Sequence, residues 1–273
     1  MENHTAKSSH KGKPLLILGF ISITILFLLY TRYQDSELVT PAVLDPLQRI
    51  SYAFYIILFM SFAAIILGIN MYHKQKAKEN DKGLLSIIAI STWNTKSRKI
   101  FLITFVVYGL FFSMASGTLV YQPDVTFSVH YGAKIPSGFI SPCCGPTGYA
   151  PKIIVYLTEH IGLQIIPLNL VLQFFVSYLV GLNMALAVSA ISISKKTGGL
   201  GSTGATTGLF IACPTCAGTF LSLFFGTTSG IGLSIILTQL QTLFIAISIP
   251  ILFVTPFILA KKLRNPDGSC AIN

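Results

Sequence analysis

Long apolar runs almost free of ionisable groups dominate this sequence, and they leave few folds open to it. They cover residues 14–30, 51–72, 100–121, 161–194 and 230–260. A helix of about 20 apolar residues crosses the ~30 Å hydrocarbon core of a bilayer. Charged residues make up only 10% of the 273 residues, against about 25% in an ordinary soluble domain. That is too few to cover a soluble surface, and disorder is excluded because disordered chains are polar and charge-rich. The chain reads as an all-α polytopic integral membrane protein.

The few charges carry the orientation. There are 19 Lys and Arg against 9 Asp and Glu, a net charge of +10. The basic residues fall in clusters between the apolar runs: Lys7, Lys11 and Lys13; the 73–99 segment with Lys74, Lys76, Lys78, Lys82, Lys96, Arg98 and Lys99; Lys195-Lys196; and a basic tail, 261–273, that opens Lys261-Lys262-Leu263-Arg264. The positive-inside rule puts the 73–99 loop and the N-terminus in the cytoplasm, in a multi-pass protein of the cell membrane. The clusters are not interleaved with aromatics, so the lipid bilayer rather than nucleic acid is the expected partner. No small-residue cleavage site follows the first run, which is therefore read as an uncleaved transmembrane helix. Within the basic loop, 83–93 is apolar but too short to span. It reads either as an interfacial segment, anchored by the lone Trp93, or as a buried loop helix.

The chain repeats itself at an offset of 70. Residues 138–174 and 208–244 share eleven identities over 37 ungapped positions, among them Gly138 with Gly208, Cys143 with Cys213, Gly148 with Gly218 and Ile161-Gly162-Leu163 with Ile231-Gly232-Leu233. The expected organisation is a three-helix N-terminal part (1–121), a first Cys-motif repeat (138–207), a second (208–260) and the tail. Pro and Gly beside the thiols suit broken helices facing each other at membrane depth, a common place for the site of a duplicated membrane fold. The count of crossings depends on whether the two Cys segments span or re-enter. If 138–160 stays external and 208–228 crosses, there are six crossings with Lys195-Lys196 and the basic tail cytoplasmic; if both Cys segments re-enter, the repeats are inverted and the tail is external; if both cross, there are seven helices and the repeats are parallel.

Four thiols carry whatever chemistry the sequence offers: Cys143-Cys144 and Cys213-Pro-Thr-Cys216. Cys270 is read as incidental. The thiolate is both the nucleophile and the metal-ligating form of cysteine. A Cys-x-x-Cys at a helix start suits reversible disulfide chemistry, whereas a vicinal pair more naturally bonds a third cysteine or holds a soft metal. The string Phe139-Ile140-Ser141-Pro142-Cys143, with Pro146 and Tyr149 beyond it, resembles the first Cys helix of the CcdA/DsbD-type membrane thiol–disulfide electron carriers. Those proteins are built from two homologous halves, each with one redox cysteine beside a proline. The resemblance implies Cys143 and Cys213 as the core pair, with Cys144 and Cys216 as resolving thiols. It also implies passage of reducing equivalents across the membrane from a thioredoxin-like partner, with no cofactor. Each motif here has a second cysteine, and the 70-residue period fits about two helices where that family has three. The Cys-Cys-Gly-Pro string is similar to the first helix of small mercuric-ion transporters, which implies the alternative of copper, zinc or mercury binding at the same four cysteines. A third reading is a structural subunit among other membrane subunits, with an external disulfide or inert thiols.

Polar residues within the apolar runs are few: Asn169, Gln173, Asn183, Gln239 and Gln241. They read as interhelical hydrogen-bonding groups. Glu159, His160 and His130 read as interfacial residues, with proton donation or metal ligation as the sharper alternative. The Gly-rich linker 198–208 lacks the ending of a phosphate loop.

Overall fold

In a computed structural model, the structure describes residues 12–33, 43–79, 83–143, 147–196 and 249–261. It is mostly helical: α1 (Gly12–Thr31), α2 (Leu44–Glu79), α3 (Leu84–Trp93), α4 (Thr95–Ala115), the short α5 (Phe127–Tyr131), α6 (Pro167–Lys196) and α7 (Ile249–Lys261). Among the described residues, four helices are long and apolar enough to cross a membrane, α1, α2, α4 and α6. Their large apolar side chains are widely exposed, as at Leu18, Leu28, Ile56, Met60, Ile103 and Val107, and such surface calls for lipid rather than water. The second Cys repeat up to residue 248, and the tail beyond Lys261, lie outside the described residues.

The expectation of an all-helical chain is corrected between α4 and α6. There the chain forms strands β1 (Leu119–Tyr121), β2 (Ser137–Ser141), β3 (Lys152–Tyr156) and β4 (Ile161–Ile165). They make one antiparallel sheet in the order β1-β4-β3-β2. The described part of the first Cys segment is therefore a pair of antiparallel strands, β2 and β3, and not a broken helix. The cause is length and side-chain shape. Lys152–Tyr156 is a five-residue run rich in β-branched and aromatic residues that follows Pro151, and Ile161–Ile165, set off by Thr158-Glu159-His160, is an equally short segment that pairs with it. Pro167 then opens α6 at a position where its missing N–H costs nothing.

The described residues fall into two compact units. One lies within 1–75 and 116–171. Here α1 and α2 run antiparallel at very close range. A Cβ built on Gly12 would lie 2.9 Å from Tyr72 N, and one on Gly68 2.9 Å from Leu16 N. Farther along, Gly19 faces Ser61 and Ile65, and Ser61 Oγ bonds Ser22 Oγ at 2.9 Å. Where lipid removes the hydrophobic drive between helices, close packing of small residues supplies contact instead. At the other end of the pair, Phe54 is buried among the rings of Phe27, Tyr30 and Tyr55, with centroids 5.8, 5.0 and 5.6 Å away. On the sheet, α5 lays Phe127 over Gly162 and against Tyr156, at 5.2 Å between centroids. Asn169 Nδ2 donates to Ser116 O at 3.2 Å.

The second unit lies within 76–115 and 172–273. Residues Ile87 and Ile88 of α3 are buried against Leu182, Leu186, Ala187, Leu259 and Ala260. Of the two readings for 83–93, the structure thus takes the buried loop helix. Antiparallel α4 and α6 meet through Ser97 and Ser189 (3.0 Å), through Phe101 and Tyr178, and through Gln173 Nε2, which donates to Gly109 O (2.9 Å) and Ser113 Oγ (2.7 Å). Leu252 packs with Tyr108, Phe112 and Val176, and Leu259 with Leu182 and Leu186. Consequently α7 runs in the same direction as α6, and Lys261 lies toward the end where α6 reaches Lys195-Lys196.

Candidate functional site: the anchored Cys143 loop

Cys143 follows β2 directly, in the connection to β3. It is half-buried and disulfide-bonded, and its partner lies outside the described residues. So do Cys144, Cys213, Cys216 and Cys270. The four expected site residues are thus represented in the described structure by Cys143 alone.

This connection is not a free hairpin tip. Tyr30, near the end of α1, donates its hydroxyl proton to Pro142 O, the carbonyl that leads into Cys143. Tyr30 Oη also lies 3.0 Å from Ser51 Oγ of α2. Tyr55, one turn farther along α2, donates to Pro151 O at 2.7 Å and to Ile165 O at 3.0 Å. Leu168 N, in the first turn of α6, donates to Gly148 O at 3.0 Å. Gly148 has φ +86°, a conformation that only glycine adopts freely, and a Cβ there would meet Leu168 and the Phe27 ring at 3.1 Å. Two buried tyrosines therefore bracket the loop 142–151, each holding a proline carbonyl. Buried backbone acceptors need such partners. The outcome is a cysteine fixed at the end of the α1–α2 pair opposite Gly12 and Gly68.

The other candidates have structural partners. Glu159 accepts from Ser128 Oγ (2.7 Å) and Ser128 N (3.1 Å), capping the start of α5. His160 Nδ1 lies 3.1 Å from Gln122 O and 3.0 Å from Val125 O. The His130 ring stands edge-on to Tyr131, 4.7 Å between centroids. Glu159 and His160 thus tie the 122–131 segment to the β3–β4 turn. Among the described residues, no three of His, Cys, Asp and Glu gather as a metal site.

The Ser128 hydroxyl, followed by the Ser128 N–H, holds the Glu159 carboxyl below the usual carboxylate range. A depressed folded-state pKa contributes stability above the unfolded value and loses it as pH falls through the folded one. The α5 cap should therefore survive mild acid and release only below the ordinary carboxylate range. In Ser128→Ala the Glu159 titration should move up toward that range, as read by the carboxylate signal of isotope-labelled glutamate. An unmoved titration would mean that the hydroxyl does not hold the charge.

Comparison with protein-family models, with curated proteins and with solved structures finds no match for this chain. Among the described residues, four helices long and apolar enough to cross a bilayer are compatible with a membrane protein.

Proposed function

We propose that this chain is a multi-pass membrane protein that exchanges disulfides through Cys143. The observation that supports it is the Cys143 disulfide, set in a loop held at both ends yet only half-buried. The reaction balances without a cofactor. A thiolate of an incoming dithiol attacks one sulfur of the disulfide containing Cys143, and the displaced sulfur leaves as thiolate and takes up a proton. The second thiol of the incoming protein resolves the mixed disulfide. The donor loses two electrons and becomes a disulfide; two cysteines of this chain gain them and become thiols. A thioredoxin-like protein has the required dithiol. Transmembrane relay, as the CcdA/DsbD resemblance implies, would pass the pair on between Cys143 and Cys213, with Cys144 and Cys216 resolving. A soft-metal site would need the same sulfurs as free thiolates, so the disulfide favours exchange over copper, zinc or mercury.

The same reading carries a topology. The basic loop between α2 and α4 is cytoplasmic by the positive-inside rule, which places the N-terminus inside and the sheet with Cys143 outside. The shared direction of α6 and α7 favours six crossings with the tail inside.

Alkylation mass shift of the cysteines in intact cells tests the exchange. Cys143 should change between protected and labelled forms when the cells are reduced and reoxidised. A Cys143→Ser or Cys213→Ser variant should trap a mixed disulfide with a thioredoxin-like protein, and the double variant should trap none. If Cys143 stays locked in every condition, it is a structural cross-link and the exchange reading fails.

A further inference from the structure

We propose that Tyr30 is a positioning residue that favours the oxidised state of Cys143. Its use rests on the exchange reading; its test does not. Pro142 has no N–H, so its carbonyl is the only backbone polar group by which that residue can be held. The peptide unit that begins at this carbonyl ends at Cys143 N. Fixing Pro142 O therefore fixes the backbone from which the Cys143 sulfur projects.

Tyr30 is a rigid donor for that purpose. It is 3% exposed and packs edge-on against Phe54. Its hydroxyl lies within reach of Ser51 Oγ, which also bonds Leu47 O at 2.8 Å. Ser51 donates its one hydroxyl proton to Leu47 O, which leaves the single proton of Tyr30 for Pro142 O, with Ser51 Oγ beside it at 3.0 Å. Tyr55 provides the internal comparison: it holds Pro151 O and Ile165 O, but neither carbonyl adjoins the cysteine. The Tyr30 bond is present with Cys143 oxidised. In that state the bond holds the backbone at 143 where the cross-link needs it, and so lowers the conformational cost of closing the disulfide. Linkage then requires that the bond oppose reduction to the same extent that reduction loosens the bond.

The test uses the purified full chain in detergent, equilibrated with graded ratios of reduced and oxidised dithiothreitol. Dithiothreitol supplies the two electrons and closes to its cyclic disulfide, and the chain gains two thiols. Alkylation followed by mass spectrometry of the Cys143 peptide reads the reduced fraction. Tyr30→Phe keeps the ring and removes the hydroxyl. It should favour reduction about fivefold, the size of one ordinary net hydrogen bond, which moves the midpoint by about 20 mV. Tyr55→Phe should lower thermal stability and move the midpoint far less. A Tyr30→Phe midpoint that is unchanged or moves the other way overturns the inference, and so does an equal shift in both variants, which would mean general loosening. A Cys143 that never changes state in cells would end the exchange reading and leave this measurement standing.

Discussion

Leucine in place of Gly68 should drive α1 and α2 apart. The obstacle is backbone: the first carbon of any side chain at 68 would lie 2.9 Å from Leu16 N and 3.1 Å from Gly12 O. Neither atom can rotate away, and Gly12 is equally constrained by Tyr72 N at 2.9 Å and Gly68 O at 3.0 Å. Gly19 is closed as well, by Ile65 Cγ1 at 2.5 Å and by the backbone Ser61 O at 3.0 Å. Gly12 and Gly19 are two helical turns apart, as are Ser61 and Gly68, so the small residues recur on one face of each helix. Overpacking commonly costs about 1–3 kcal/mol, and separating two helices along a seam belongs at the upper end. Thermal or detergent-denaturant unfolding of Gly68→Leu should show a loss of about 3 kcal/mol, with Gly68→Ala intermediate. Leu67→Ala, at an exposed neighbouring position, should change little. If Gly68→Leu melts with the parent chain, the close approach is not what holds the pair.

That seam also shows what the sequence could and could not disclose. The first span was legible almost to the residue, 14–30 against Gly12–Thr31, because an uninterrupted apolar run has one solution in lipid. The partner of Gly12 was not, since nothing local marks a contact with a residue more than fifty positions away. The 83–93 segment announced its length but not its surroundings, and only the burial of Ile87 and Ile88 separated the two readings. The sheet was missed although its signal was present. Lys152–Tyr156 has the composition of a strand, but Ile161–Ile165 continues without a break in polarity into the apolar run that reaches residue 194. Pro167, a favoured first residue of a helix, was the overlooked boundary. For the candidate site, chemistry singled out Cys143, whereas its supports Tyr30 and Tyr55 are apolar-run residues about a hundred positions away. Their hydroxyls become informative only when the carbonyls they face are known.

Asn183 shows the same limit in a form that a mutant cycle can resolve. The sequence marks it as a polar residue in an apolar run; the structure supplies the reason. Its Nδ2 donates to Leu252 O at 3.0 Å, and both residues are buried. In a helix, the carbonyl of residue 252 expects the N–H of residue 256. Residue 256 is Pro256, which has none. Asn183 on α6 thus supplies a proton that α7 withholds from its own carbonyl. Asn183→Leu should cost about 1–3 kcal/mol, the penalty for leaving a buried acceptor without its donor. Pro256→Ala restores the helical N–H, so in that background the same Asn183→Leu change should cost almost nothing. Asn183 Oδ1, buried without a partner among the described residues, leaves with the side chain and adds no cost. The coupling energy from unfolding of the four proteins should therefore be about as large as the single-mutant loss, well above the ~0.5 kcal/mol scatter of independent sites. Equal costs in the two backgrounds would show that Leu252 O does not depend on Asn183. The polar group at 183 would then need some other reason for its place between α6 and α7.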